Sequence, residues 1–294
     1  MLSQSIKMPC CAISPVLKSH LSVQVWHWYR RSGTRMSKAM ILNAADEYQY
    51  ATTGDTLKTI SALPPQCDKP SLLSIMLEAR APLEFASLSL HIRSLSKAPK
   101  GDGRPVLLVP GYLASDMSMR PLGTYLKHLG YKVYYPEMGR NMGKVNTDML
   151  RLGARAESIS AELDGHMVTL IGWSLGGVIT REAARLFPES VREVITMGTP
   201  IIGGPKFTSV GRQYVKANNI DVDAFELDVH QRNSIGFKQA ITSIYSKTDG
   251  VVGWQASVDT YNKHANNVEV TGSHLGLGVN PQVWKIIART LHNA

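Results

Sequence analysis

From about residue 104 the chain alternates short apolar runs with amphipathic stretches. Val106-Leu107-Leu108-Val109, Lys132-Val133-Tyr134-Tyr135, Met167-Val168-Thr169-Leu170-Ile171, Val194-Ile195-Thr196-Met197, Ile241-Thr242-Ser243-Ile244-Tyr245 and Val268-Glu269-Val270 read as strands. Between them, residues 117–129 (closed by Gly130), 148–163 and 178–186 carry helical periodicity. A last helix begins at Pro281, with Val283, Ile286, Ile287 and Leu291 on its inner face. Strands apolar on both faces and separated by helices imply right-handed crossovers. The predicted fold class is therefore α/β: a mostly parallel sheet covered by helices on both sides. Ligands bind such sheets at the carboxyl ends of the strands.

Two regions depart from this rhythm. Residues 71–95 predict a helix restarted or kinked at Pro82, with Leu72, Leu73, Met76, Leu77, Leu83, Phe85, Leu88 and Leu90 apolar. Glu78, Arg80, Glu84 and Arg93 exclude a membrane span there. The plain expectation is that the apolar side packs on the domain; the sharper one is an interfacial helix in weak contact with a membrane surface. After Gly198-Thr199-Pro200 the alternation stops until Ile241, so residues 201–240 are predicted to be a cap hinged at Gly203-Gly204-Pro205.

Residues 1–68 show no sustained period and contain Pro64-Pro65, which predicts a poorly ordered or loosely attached extension ahead of a domain over 69–294. The apolar stretch 13–25 is broken by Pro15, Lys18, His20 and Gln24, unlike a secretory signal. The open readings are an organelle presequence, a membrane-surface arm and a start truly at Met36; the expected location is cytoplasmic. Charge sharpens this division. Of the net +9, residues 1–45 contribute six Lys or Arg and no acid, which leaves +3 for the rest. Basicity confined to a tail argues against nucleic-acid binding by the domain. Three cysteines, Cys10, Cys11 and Cys67, all precede the regular part and exclude a disulfide framework there.

The candidate chemistry centres on Gly172-Trp173-Ser174-Leu175-Gly176, where a buried strand turns sharply into a helix. Such a turn would expose Ser174 at the strand end. A serine hydroxyl needs a base, and the base needs an orienting carboxylate. His274, in the loop after the last strand, is the candidate base; His91, His128 and His166 fall on helices or their ends. Asp249, just past the fifth strand, is the candidate acid, with Asp228 and Asp259 in reserve. Two amides must stabilise the oxyanion: Leu175 by position after the nucleophile, and Tyr112 in the bared loop Pro110-Gly111-Tyr112. Trp173, Phe207 and Tyr214 are expected to bind the substrate, with Val210 beside them.

The opening run Val106 to Tyr112, the elbow Gly172 to Gly177, Thr248-Asp249-Gly250-Val251-Val252 and Ser273-His274-Leu275-Gly276 together resemble the α/β-hydrolase superfamily, in particular its small bacterial lipase-like and esterase-like members. The resemblance covers roughly two thirds of the chain. It implies a serine hydrolase that cleaves a small-molecule or lipid carboxylic ester through a Ser174 acyl-enzyme, without metal or organic cofactor. An acyltransferase using the same residues is the nearest alternative, and a non-catalytic binding protein on this fold the next. Gly139-Arg140-Asn141-Met142-Gly143 also resembles a run in hydrolases of this type, as a pocket rim or a plain turn.

Overall fold

The computed structural model describes residues 63–236 and 238–293. Most of the expected extension, residues 1–62, lies outside the described residues. Six parallel strands form one sheet in the order β2-β1-β3-β4-β5-β6: β1 Pro105–Val109, β2 Lys132–Tyr134, β3 Val168–Trp173, β4 Val191–Met197, β5 Ala240–Ser246 and β6 Asn266–Val270. The order reverses between β1 and β3, so the crevice outside their carboxyl ends is where such a sheet accepts a ligand.

The helices of the regular part are α3 Arg120–Leu129, α4 Val145–Glu162, α5 Leu175–Leu186 and α8 Pro281–Asn293. Strand side chains alternate between two cores. Val106, Leu108, Ile171, Ile195 and Ile244 point to the face covered by α3 and α8, where Tyr125 stacks on Trp284 with ring centroids 4.9 Å apart. On the other face α4 buries Met149, Leu152, Ala156 and Ile159, a helical spacing, and meets α5 closely because Gly153 leaves room for the Phe187 ring. Gly130, at φ 106°, ends α3 as its left-handed cap.

The expected break at 201–240 holds a 3-10 turn, Gly204–Phe207, and two helices, α6 Gly211–Asn218 and α7 Val222–Ser234. Asp221 caps α7, its side chain accepting from the Asp223 and Ala224 amides.

The region before the sheet overturns the plain expectation for its apolar side. It folds as α1 Leu72–Leu77, a 3-10 turn over Glu78–Arg80, and α2 Ala81–Leu95 with Pro82 in the first turn, where its missing N–H costs nothing. Leu72, Met76, Leu83 and Leu90 are 74–83% exposed, and Leu73, Phe85 and Ile92 are exposed as well. Leu95 is buried, and Leu77 and Leu88 are partly so. The side turned to the domain is polar: Glu78, Arg80 and Glu84 meet the loops after β5 and β6. Those loops carry backbone N–H groups that burial would otherwise strand, and carboxylates satisfy them where leucines could not. Of the preceding residues, Pro64 is buried, Cys67 packs beside Phe207 and Val252, and Asp68 accepts from the Gln255 side chain at 3.1 Å.

One buried ion pair ties α5 to the segment between β5 and β6, and the same arginine donates to Asn233 of α7 at 3.2 Å. Arg181 of α5 donates to Asp259 at 2.6 Å with both side chains at most 2% exposed, and Asp259 also accepts from the Tyr261 and Asn262 amides. Burial works to raise the Asp259 pKa, but the Arg181 charge and these hydrogen bonds outweigh it and hold the carboxyl below its usual range. Asp259→Ala leaves a guanidinium buried without its counter-ion. We expect a loss of about 3–5 kcal/mol in stability, read as a lower midpoint in thermal unfolding. An unchanged midpoint would show that the pair is dispensable.

Candidate active site

Ser174 sits between β3 and α5 with φ 56° and ψ −125°, a conformation that costs a non-glycine residue energy and that only firm surroundings maintain. Its neighbours show what maintains it. A Cβ on Gly172 would strike the backbone of Gly176 and Gly177, one on Gly176 would strike the Val109 and Pro110 carbonyls, and one on Gly177 would strike Thr199. The Ser174 amide donates to the Met197 carbonyl at 2.8 Å, and Thr199 donates to the Ser174 carbonyl at 3.0 Å. The turn is thus held from β1, from β4 and from its own helix, and the serine stands at the switch point of the sheet.

Asp249 and His274 are brought together. The Nδ1 of His274 and Oδ2 of Asp249 lie 2.7 Å apart, with both side chains at most 4% exposed. The other Asp249 oxygen accepts from the Val251 and Val252 amides at 2.8 and 2.7 Å, which fixes the carboxylate. A neutral His274 then donates from Nδ1 and presents Nε2 as acceptor. Burial works against protonation of His274, but the charge and hydrogen bond of Asp249, followed by the charge of Glu78, raise its pKa above the ordinary histidine value. Trp173, the residue before the serine, has its ring centroid 6.1 Å from that of His274. Among the described residues the Ser174 hydroxyl makes no hydrogen bond; in empty sites this contact is commonly long and tightens with substrate. The reserve acids are engaged elsewhere, Asp228 with Arg232 at 2.8 Å and Asp259 with Arg181.

The Pro110-Gly111-Tyr112 loop lies against the serine: a Cβ on Gly111 would come within 3.2 Å of Ser174 Cβ. Neither the Tyr112 nor the Leu175 amide donates to another described residue. The loop is braced by Asn141, whose side chain donates to the Pro110 carbonyl at 2.9 Å and accepts from Gly143 at 3.0 Å. The Leu113 amide donates to the Asn141 carbonyl at 2.7 Å. This gives the run 139–143 a structural use, and Asn141 is a residue that sequence reasoning had not singled out. An asparagine flanked two residues away on each side by glycine was the available signal.

A cavity leads from Ser174 beneath the inserted helices, walled by Val178, Ile201, Val210, Tyr214, Phe225 and Val229. Tyr214 donates to the Gly143 carbonyl at 2.9 Å and meets Tyr112 edge to face. Phe207 does not line this cavity, contrary to expectation. It is 5% exposed and packs with Ile202, Val252 and Ala256, because the 3-10 turn starting at Gly204 rotates it away from α6 and into a separate small core. Trp173 also lies outside this cavity wall, beside His274 and Gly278.

Glu78 and Glu84, unmarked in the sequence as site residues, are the largest surprise. The Gly250, His274 and Leu275 amides all donate to the Glu78 carboxylate, at 2.8, 2.7 and 3.0 Å. Glu84 accepts from the Ser273 amide at 2.9 Å and from its hydroxyl, and pairs with Arg80, which in turn donates to Thr248.

Comparisons with known proteins agree with this architecture. The family profile for the alpha/beta hydrolase fold matches residues 104–234. Pimeloyl-[acyl-carrier protein] methyl ester esterase of Shewanella woodyi is 30% identical over 115 residues, 38% of this chain and 41% of that protein. The chain therefore matches about two fifths of the length of this curated relative. Among solved structures, one of the metagenome-derived lipolytic enzymes LipS and LipT has a TM-score of 0.52 at 14% identity, covering 67% of this chain and 96% of that one. The mature form of Bacillus licheniformis lipase BlEst2 has a TM-score of 0.49 at 15% identity, with 66% and 94% covered. The parallel sheet with its switch point at β1 and β3, the serine turn beyond β3 and the profile match over residues 104–234 give the chain the α/β-hydrolase fold.

Proposed function

We propose that the protein is a carboxylic ester hydrolase that works through a Ser174 acyl-enzyme. The observation that carries this reading is a serine in a strained, half-buried turn at the head of an apolar cavity, at the same carboxyl end of the sheet as a buried, hydrogen-bonded His274–Asp249 pair. In the proposed reaction His274 takes the Ser174 proton as the hydroxyl attacks the ester carbonyl. Asp249 holds the imidazole in the correct tautomer and stabilises its charged form, and the Tyr112 and Leu175 amides receive the oxyanion. Collapse expels the alcohol with the proton from His274, and water repeats the sequence to release the acid.

The cavity also argues for an uncharged acyl chain. Its wall is mostly aliphatic and aromatic, and the charged groups near it offset one another: Arg181 with Asp259, Arg232 with Asp228, and Glu182 within 3.7 Å of Arg185 and Arg232. A panel of p-nitrophenyl esters, combined with labelling by a fluorophosphonate probe, tests the reading. Hydrolysis with stoichiometric labelling at Ser174 is expected; a chain that binds esters without turning them over and resists the probe would defeat it. Adding alcohol acceptors to the same assay and analysing the products separates hydrolysis from acyl transfer.

The inserted helices should set chain-length preference. Phe225→Ala and Val229→Ala each remove roughly 40–60 Å² of apolar contact, about 1 kcal/mol at the usual 25 cal/mol per Å². Octanoate esters should therefore lose several-fold in kcat/KM while acetate esters stay nearly unchanged. An equal loss for both would assign the two side chains to folding.

A further inference from the structure

We propose that Glu78, on the turn between α1 and α2, is a positioning residue for the His274–Asp249 pair. The inference rests on the serine hydrolase reading above and adds to it a part supplied from outside the profile-matched segment.

Asp249 and His274 stand on different loops, the first after β5 and the second after β6. Their 2.7 Å contact survives only if those loops keep their separation. Within Asp249's loop the carboxylate is fixed locally by Val251 and Val252, but nothing in that arrangement fixes where His274 lies. Glu78 joins the two. One oxygen accepts from the amide of Gly250, adjacent to Asp249, and from the amide of His274 itself; the other accepts from Leu275. Three N–H donors converging on one carboxylate are strong, charge-assisted hydrogen bonds in a site that burial makes less water-like.

The packing is close enough to make the arrangement specific. A Cβ on Gly250 would strike the Ser74 carbonyl, and one on Gly276 would strike the Glu84 carboxylate. Glu84, by holding Ser273, and Arg80, by holding Thr248 while paired with Glu84, fasten the flanking residues of the same two loops. The charged groups facing His274 are therefore Asp249 from the β5 loop and Glu78 from the helical turn, with the Arg80–Glu84 pair behind Ser273. Glu78 touches neither substrate nor nucleophile; it acts through the other two residues, by geometry and by favouring the imidazolium that forms in the transition state.

Glu78→Gln preserves shape and one acceptor oxygen but removes the charge, and Glu78→Ala removes both; each is made in the full chain. Glu78→Gln should move the acid limb of the kcat/KM profile to lower pH, because the His274 pKa falls when the charge is lost. Glu78→Ala should lower kcat by up to about 100-fold, the scale of a misplacement on the order of 1 Å, with little change in KM. Rates are to be normalised to the fraction of sites that react with the fluorophosphonate probe, so that misfolded molecules drop out. An unshifted pH profile for Glu78→Gln, or full turnover per reactive site in Glu78→Ala, would overturn the proposal. If wild type itself failed to react with the probe, the hydrolase reading would fall first.

The outer side of the same helices carries a second inference, from a different observation: the geometry points to a lipid surface of anionic headgroups as its partner. Leu72, Leu73 and Met76 of α1 and Leu83 and Leu90, one above the other on α2, are exposed apolar side chains on a segment whose two acids both turn inward. Every charged side chain between residues 85 and 100 is basic: Arg93, Lys97 and Lys100, all exposed. Lys97 adjoins Lys285 and Arg289 of α8 around one shallow depression. Exposed apolar side chains followed along α2 and the loop to Lys100 by cations match the acyl and phosphate layers of an anionic bilayer, and neither half of that match suits a polar protein partner. Leu275, exposed beside His274, lies on the loop that Glu78 holds, so the surface is continuous with the site.

The test is cosedimentation of the full chain with vesicles of phosphatidylcholine alone or mixed with phosphatidylglycerol. Binding to the mixed vesicles is expected, weakened by salt and reduced at least about tenfold by Leu83→Glu with Leu90→Glu. No binding would overturn the inference. So would a dimer in light scattering that the same substitutions dissociate, since a second copy would then occupy the face.

Discussion

Ser174→Ala is expected to lower ester turnover by at least about 10⁴-fold while leaving the fold intact. In the proposed mechanism this hydroxyl is the nucleophile, and residual rate would come from the amides and binding alone. The substitution removes one oxygen, and that oxygen makes no hydrogen bond with the described residues. The unusual backbone is set by Gly172, Gly176 and Thr199 around it, not by the hydroxyl. Thermal unfolding should accordingly stay within about 0.5 kcal/mol of wild type, as for changes that disturb no buried partner. Activity retained at more than a few per cent, with the fluorophosphonate found on another serine, would disprove the assignment.

Asp249→Asn should lower kcat on the order of 10⁴-fold with a much smaller change in KM. Asparagine keeps the shape but can offer its amide nitrogen to His274 Nδ1, which turns the imidazole into the tautomer that cannot accept the serine proton. The cavity is untouched, since Asp249 takes no part in its wall. The Val251 and Val252 amides, which both donate to one Asp249 oxygen, would hold the side-chain carbonyl and direct the amide at the histidine. Asp228→Asn supplies the contrast: its acid is bound to Arg232 on α7, so kcat for short esters should stay near wild type. Damage from Asp228→Asn with Asp249→Asn harmless would transfer the role.

Both expectations start from local signals. Apolar runs such as Val106 to Val109 announce buried parallel strands because both faces of each strand need covering. The Gly-Trp-Ser-Leu-Gly turn announces its own geometry because only residues without a Cβ fit where β3 and α5 nearly touch. Asp249 and His274 could be nominated by the same logic, each being the first suitable side chain past a strand end. The chain could not say which apolar residues line the cavity. Phe207 and Tyr214 look alike in the sequence, and the 3-10 turn at Gly204 sends one into a small core and the other to the cavity wall.

Taken alone, then, the sequence determined the layered α/β architecture, the sharp turn at Ser174 and the candidates on the loops after β5 and β6, because each follows from patterns a few residues long. Tertiary structure decided the orientation of α1 and α2. A helix with an apolar and a polar side obeys the same 3.6-residue period whichever side turns inward. Here the unpaired amides of two distant loops drew Glu78 and Glu84 in and left Leu72, Leu73, Leu83 and Leu90 outside. Hydrogen bonds that span some 170 to 197 residues, as those of Glu78 do, leave no mark in local spacing. They exist only once the sheet has brought its loops to one edge.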